Sequence, residues 1–111
     1  MLQLKDWYES GQYFQFDDYR IFYQEASTEK PRTLVLLHGF PTSSWDWRAL
    51  WAELALEYHL IAPDFLGFGY SDKPTDYDYE ISEQADLVEA LLDSIGVTQY
   101  HLLTHNYGDT V

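Results

Sequence analysis

The stretch Tyr100-His101-Leu102-Leu103-Thr104-His105-Asn106-Tyr107-Gly108-Asp109 decides the fold. A short apolar run stops at His105-Asn106 and the start of a helix follows, which is the layout of a nucleophile elbow. There, a strand turns sharply into a helix and presents one side chain, here Asn106, at the top of a sheet. Asn tolerates a positive φ, and Gly108 supplies the small neighbour that the turn requires. Thr104 is larger than the usual Gly, so the match to the pattern is partial.

Strands and helices alternate ahead of this elbow. The predicted strands are residues 33–39, an apolar run typical of a strand buried on both faces, then 59–62 and 99–104. A helix capped by Ser43 or Ser44 follows the first strand, and a helix capped by Ser82 and ended by Gly96 follows the second. Apolar residues at helical spacing define their buried faces: Trp47, Leu50, Trp51, Leu54 and Tyr58, then Ala85, Val88, Leu91, Leu92 and Ile95.

The first part of the chain predicts a short amphipathic helix over residues 2–10 and a hairpin of strands 12–16 and 19–23 turning at Asp17-Asp18. The later alternation predicts an α/β fold with a mainly parallel sheet and helices on both faces. Right-handed crossovers bring the loops after Gly39, Ala62 and Thr104 to one edge, where ligands bind in open α/β sheets.

The composition excludes several classes of function. Six Lys and Arg against 19 Asp and Glu give a net charge of −13, which disfavours nucleic acids and anionic membranes as partners. Without Cys there is no disulfide or thiolate chemistry, and no cofactor or metal motif is present. The first eleven residues lack the apolar core of a signal peptide, and no run is long enough to span a bilayer. We therefore expect a cytoplasmic protein with a small-molecule substrate, of unknown oligomeric state.

Three motifs in order resemble those of the α/β-hydrolase fold: His38-Gly39-Phe40-Pro41, the run from Asp64 to Pro74, and His105-Asn106-Tyr107-Gly108. They are most similar to the branch with an Asp nucleophile, which includes epoxide hydrolases and haloalkane dehalogenases. Within this branch, the run Phe65–Pro74 and Tyr107-Gly108-Asp109 after the elbow resemble those of mesoderm-specific transcript proteins. The resemblance covers the chain from about Gly11 onward, and it predicts the fold more strongly than the reaction.

The resemblance implies roles for individual residues. Asn106 takes the nucleophile position, and the backbone N–H groups of Phe40 and Tyr107 take the oxyanion hole. His38, Gly39, Pro41 and Gly108 shape the elbow and the loop. Haloalkane dehalogenases typically hold the halide with side-chain N–H donors at the positions of Phe40 and Tyr107, which offer none here, so the resemblance favours an epoxide or ester substrate.

Asn106 stands where this branch has Asp. A carboxamide is a poor nucleophile, so the chain as it stands is predicted to be inactive. Three interpretations remain open: a hydrolase altered at this position, a non-catalytic binding protein on a hydrolase scaffold, or an Asn that deamidates to Asp. Residues 1–111 are expected to be the N-terminal part of a single α/β-hydrolase domain, with the lid, general-base His and acid supplied later. Strand 99–104 is then expected at a sheet edge.

Other candidate residues have simpler interpretations. His38 is expected to hydrogen-bond loop backbone, and His105 to point to the opposite face of the sheet. Asp64 and Asp72 belong to a Gly- and Pro-rich loop without metal-ligand spacing. Among the tryptophans, Trp47 and Trp51 are predicted to be core, and Trp45 is the candidate to line a substrate pocket.

Overall fold

The computed structural model describes residues 4–38, 43–73 and 81–104. In chain order the elements are α1 Leu4–Ser10, β1 Gln12–Phe16, β2 Tyr19–Ala26, β3 Thr33–Leu37, a 3-10 helix Ser44–Trp47, α2 Arg48–Leu54, β4 His59–Pro63, α3 Ile81–Ser94 and β5 His101–Thr104. The order of elements is the predicted one, and the fold class is confirmed as α/β.

The five strands form one mixed sheet in the order β1-β2-β4-β3-β5. β3 pairs in parallel with β4 on one side and with β5 on the other, with Leu37 opposite Thr104 in the second ladder. The hairpin of β1 and β2 is antiparallel, and β2 also runs antiparallel to β4. β5 is therefore the end strand of the described sheet, as predicted, and the carboxyl ends of β3, β4 and β5 share one edge.

One face of the sheet packs on α3. Val35, Leu37 and Ile61 are buried there against Leu87 and Leu91 of the helix. Successive side chains of a strand point to opposite faces, so the odd-numbered residues of β3 belong to this layer. Burying each of these aliphatic side chains stabilises the fold by about 1.5–3 kcal/mol relative to exposure. Because this face buries more hydrophobic side chains than the other clusters, it forms the main core.

The opposite face packs on the 3-10 helix, α2 and α1. Leu34, Leu36 and Leu60 meet Trp47 and its neighbours there, and Trp7, Tyr8 and Phe22 form an adjoining buried cluster. Helices therefore cover both faces of the sheet, as the sequence predicts. Trp47 is buried and Trp51 is packed against both clusters, which confirms their assignment to the core.

Several boundaries and positions differ from the predictions. Leu50 is 44% exposed, so its assignment to the buried face of its helix is wrong, and Leu4 at the start of α1 is 47% exposed. Both lie at the margin of a narrow apolar stripe on a helix of only seven residues. β2 extends to Ala26 rather than Tyr23 because its last residues pair with β4. α3 begins at Ile81, one residue before the predicted cap, and β5 begins two residues later than predicted.

Gly96 ends α3 as predicted. It has φ +78°, its N–H donates to the Asp93 carbonyl, and the Val97 N–H donates to the Leu92 carbonyl. This pair of hydrogen bonds is a Schellman motif, which satisfies carbonyls that the helix end leaves unpaired.

Gly96→Ala is expected to lower the free energy of unfolding by about 1–2 kcal/mol, the cost of a left-handed backbone for a residue with a Cβ. A Cβ at this position would meet no atom within 4 Å, so the cost is conformational rather than steric. Urea denaturation measures it. Gly96→Asn should lose less, because Asn tolerates this conformation; equal losses for Ala and Asn would contradict the explanation.

Candidate functional site at the carboxyl edge of the sheet

His38 and the residues after β4 meet where the parallel strands end. His38 follows β3 and is completely buried. Its Nε2 accepts the backbone N–H of Phe65 at 3.0 Å, which is the loop-backbone contact predicted for it. Since this nitrogen accepts, the neutral ring carries its proton on Nδ1. The Nε2 lone pair is thereby committed to the loop, so His38 is not placed to act through Nε2 as a general base.

Asp64 is a completely buried carboxylate directly after β4. Its Oδ1 accepts the Ser44 N–H at 2.7 Å, and its Oδ2 accepts the Tyr70 N–H at 2.9 Å. One side chain thus joins the start of the 3-10 helix to the loop after β4. Hydrogen bonds to an ionised acceptor are shorter and stronger than neutral ones, so this junction is expected to be among the most rigid in the loop region.

Gly69 allows the loop to close over this carboxylate. It has φ +52°, and a Cβ there would lie 2.1 Å from Asp64 Oδ2. The close approach and the left-handed backbone both require glycine at this position. The Ser71 hydroxyl adds a further tie by donating to the Asp64 carbonyl at 2.7 Å, so the loop folds around Asp64 on several sides.

The first helix reaches the same place. The Trp7 indole Nε1 donates to Ser44 Oγ at 3.0 Å, and the Tyr8 hydroxyl donates to Ser43 Oγ at 3.0 Å. Ser43 is the N-cap of the 3-10 helix, as predicted, because its Oγ also accepts the Trp45 N–H at 3.3 Å. Ser43 and Ser44 at the start of this helix therefore form hydrogen bonds with α1, with the Asp64 carboxylate and within the helix itself.

Burial raises the pKa of Tyr8, and the negative charge of Asp64 raises it further, to about 12. The hydroxyl is therefore protonated, and able to donate, through the whole neutral range. Its ring stacks on that of Tyr70 with centroids 3.6 Å apart, which adds a contact between α1 and the loop after β4.

The raised pKa of Tyr8 predicts a loss of stability in alkali. In the unfolded chain the pKa of Tyr8 has its ordinary value of 10.0, whereas in the folded protein it is raised to about 12. The unfolded state then binds fewer protons, so stability is intact below pH 10 and falls between pH 10 and 12. Tyr8→Phe should flatten this fall in a series of thermal melts. Melting temperatures that decline equally in both proteins would refute the assignment.

Trp45 lies on the 3-10 helix and is half-buried. Its ring contacts Trp7 edge-on at 5.9 Å between centroids, and the Arg48 guanidinium lies 4.9 Å above it. The first contact joins Trp45 to α1, and the second joins it to the start of α2. Its role in lining a substrate pocket stays a prediction.

The other site residues predicted from the sequence lie outside the described residues. These are Gly39, Phe40 and Pro41 in the loop after β3, and Asn106, Tyr107 and Gly108 after β5. Their roles remain predictions. The structure does show where the strands that precede these two segments end. β3 and β5 are parallel neighbours, and Leu37 at the end of β3 lies opposite Thr104 at the end of β5.

Within residues 4–38, 43–73 and 81–104, no three His, Asp or Glu side chains are grouped to hold a metal ion. Asp72 instead accepts the Arg20 N–H at 2.7 Å. No helix in these ranges has the length and apolarity needed to cross a membrane.

The sequence did not predict the contacts of two titratable residues, Asp64 and His59. Asp64 was interpreted only as part of a loop without metal ligands, although its place directly after a buried strand and its spacing to Gly69 were visible signals. His59 is buried, with Nε2 2.6 Å from Glu25 Oε2. That partner follows from the extension of β2, which local sequence patterns do not reveal.

Comparison with known families agrees with this geometry. The model of the alpha/beta hydrolase fold matches residues 32–108, and the chain belongs to this family. The mesoderm-specific transcript homolog protein of Bos taurus is 51% identical over 113 residues, which cover 97% of this chain and 34% of that protein.

Solved structures show the same relationship. Haloalkane dehalogenase DbeA from Bradyrhizobium elkani is 34% identical with a TM-score of 0.82, over 89% of this chain and 34% of that one. Epoxide hydrolase CorEH is 32% identical with a TM-score of 0.81, over 88% of this chain and 34% of that one. The chain thus spans about a third of the length of these relatives.

Proposed function

We propose that the whole protein is a hydrolase of a small, largely apolar substrate of the epoxide or ester type, acting through the position of Asn106. The observation that carries this proposal is the parallel pairing of β3 with β5, with Leu37 opposite Thr104. The two segments that leave these strands, residues 39–42 and 105–111, therefore start side by side. A nucleophile from one segment and an oxyanion donor from the other must meet in the proposed reaction.

In the proposed reaction with an epoxide, a carboxylate at position 106 attacks a ring carbon and forms an ester with the protein, while the ring C–O bond breaks and the resulting alkoxide takes a proton from water. With an ester substrate, the carboxylate attacks the carbonyl carbon, expels the alcohol and forms an anhydride, which water hydrolyses in the same way. The backbone N–H groups of Phe40 and Tyr107 stabilise the negative charge that develops. Water, activated by a histidine held by an acid, then hydrolyses the ester. His38 is committed to Phe65, so the histidine is a different one.

Asn106 interrupts this sequence at its first step. The amide nitrogen has a delocalised lone pair and does not attack carbon at a useful rate, so the protein with Asn106 is expected to be inactive. Relatives named as epoxide hydrolases and as haloalkane dehalogenases both support a reaction at a carbon atom. We place this protein with the epoxide or ester type because neither Phe40 nor Tyr107 carries a side-chain N–H for a halide.

Oxygen-18 labelling tests the nucleophile. Full-length protein with Asn106→Asp is incubated in labelled water with excess protein over an aryl epoxide, so that each protein molecule turns over at most once. Hydrolysis of the ester at its protein carbonyl should place the label in the carboxylate at position 106, read by peptide mass spectrometry. Label found only in the product would mean that water attacks the substrate directly, and the proposed role of position 106 would be wrong.

The identity of Asn106 itself favours a second candidate, a binding protein on a hydrolase scaffold in which the carboxamide hydrogen-bonds a ligand. Calorimetric titration separates the two. A binding protein should hold substrate analogues at least as tightly with Asn106 as with Asn106→Asp, and neither form should turn them over. Peptide mass spectrometry of untreated protein addresses deamidation, since a peptide with only the Asn mass excludes it.

A further inference from the structure

Asp64 and Phe65, which follow β4 directly, bind the described residues on either side of positions 39–42. The Phe65 N–H is bound by His38, which is the last described residue before positions 39–42. The Asp64 carboxylate binds the N–H of Ser44, two residues after position 42. The described residues on either side of positions 39–42, His38 and Ser44, are therefore both held at the carboxyl end of β4.

We propose that Asp64 is a positioning residue, which fixes the end of this segment and thereby the place of the Phe40 N–H in the reaction. The inference rests on the proposed function, because it assigns Asp64 a role in that reaction. Asp64 does not touch the substrate; it acts through the Ser44 backbone. Both of its oxygens must accept, since each faces a backbone N–H, and only an ionised carboxylate presents two acceptors and no donor.

Contacts on several sides restrict the movement of the Asp64 side chain. The side chain is completely buried, Gly69 packs directly against it, and the Tyr8 hydroxyl approaches it from α1 while donating to Ser43. The Ser44 hydroxyl also accepts a hydrogen bond from the Trp7 indole N–H. Catalytic hydrogen-bond donors act by being placed before the reaction begins, and a displacement of about 1 Å can lower a rate by about a hundredfold.

Asp64→Asn in the full-length Asn106→Asp protein tests this role. The new carboxamide can accept from only one of the two amides and turns an N–H toward the other. We expect kcat to fall about a hundredfold, the effect of losing one oxyanion donor, with KM changed less than about threefold. A merely structural role would instead lower the fraction of active protein and the melting temperature, and leave the kcat of the folded molecules unchanged.

Asp72→Asn is the matched control. Asp72 also accepts a backbone N–H, that of Arg20, at 2.7 Å, in the same loop but without a contact to Ser44. It should lower stability and leave kcat unchanged. An equal fall of kcat in both variants would show that general loosening of the loop, rather than Asp64, controls the rate, and would overturn the proposal, as would an unchanged kcat in Asp64→Asn.

Two further measurements keep the role of Asp64 separate from folding and from the proposed function. If Asp64→Asn does not fold, Tyr8→Phe weakens the same attachment more mildly and should lower kcat several-fold at constant KM; unchanged kcat would overturn the proposal. Hydrogen exchange at the Ser44 amide reads the attachment without substrate, and should accelerate in Asp64→Asn but not in Asp72→Asn. If Asn106→Asp is inactive while Ser44 exchange behaves as expected, the proposed function fails and the attachment stands.

Discussion

Asn106→Asp in the full-length protein is expected to raise kcat/KM for an aryl epoxide or a nitrophenyl ester by at least about a thousandfold. The change exchanges an amide nitrogen for a carboxylate oxygen at nearly constant shape, so the turn and the two backbone donors are expected to be preserved. The gain then reports the nucleophile alone. Removing the nucleophile of a serine protease lowers kcat by about a millionfold, so a thousandfold recovery is a conservative expectation.

Asn106→Ala is the control for this substitution. It removes the carboxamide without supplying a nucleophile, and its rate should equal that of the Asn106 protein. Equal rates in all three proteins would exclude position 106 from the chemistry. A rate that is already high with Asn106 and that Asn106→Ala abolishes would assign catalysis to the carboxamide itself, against the mechanism proposed here.

Trp7→Ala is expected to lower the free energy of unfolding by about 3–5 kcal/mol, the usual cost of truncating a buried tryptophan. Trp7 is 1% exposed, and its ring lies 4.9 Å edge-on from that of Trp51. The substitution opens a cavity between α1 and α2 and removes the donor that binds the Ser44 hydroxyl. α1 has only seven residues, too few to be stable alone, so it should detach from the sheet.

Far-UV circular dichroism in urea measures this loss through the midpoint of unfolding. Leu56→Ala is the matched control, because Leu56 is 73% exposed and its truncation should change stability by less than about 0.5 kcal/mol. A cost for Trp7→Ala close to that of Leu56→Ala would show that α1 does not contribute to the folded state in the way the structure indicates.

The sequence predicts the alternating core of this fold well, because each signal is local. The run Thr33–Leu37 is apolar throughout since both of its faces are covered, and Gly96 marks a helix end that only a left-handed residue can make. The pairing of β2 with β4 is different. It joins Glu25 to Ile61 across the chain, and no pattern within a short window contains that information.

The residues of the candidate site also differ in whether the sequence alone predicts their contacts. His38 was predicted to bind loop backbone because a polar group at the end of a buried strand needs a partner, and Phe65 supplies one. The hydrogen bonds of Asp64 were not predicted, because its two partners, Ser44 and Tyr70, lie 20 residues before it and six after it. A carboxylate in a glycine-rich loop has many uses, and only the fold selects among them.

All four tryptophans lie between Trp7 and Trp51, and each packs on the α2 face of the sheet. The α3 face contains none. Intrinsic fluorescence therefore observes one half of the molecule. Tryptophan fluorescence would report the release of α1 and α2 but not the unfolding of α3. A fluorescence transition that precedes the circular dichroism transition would therefore show that the two faces of the sheet unfold separately.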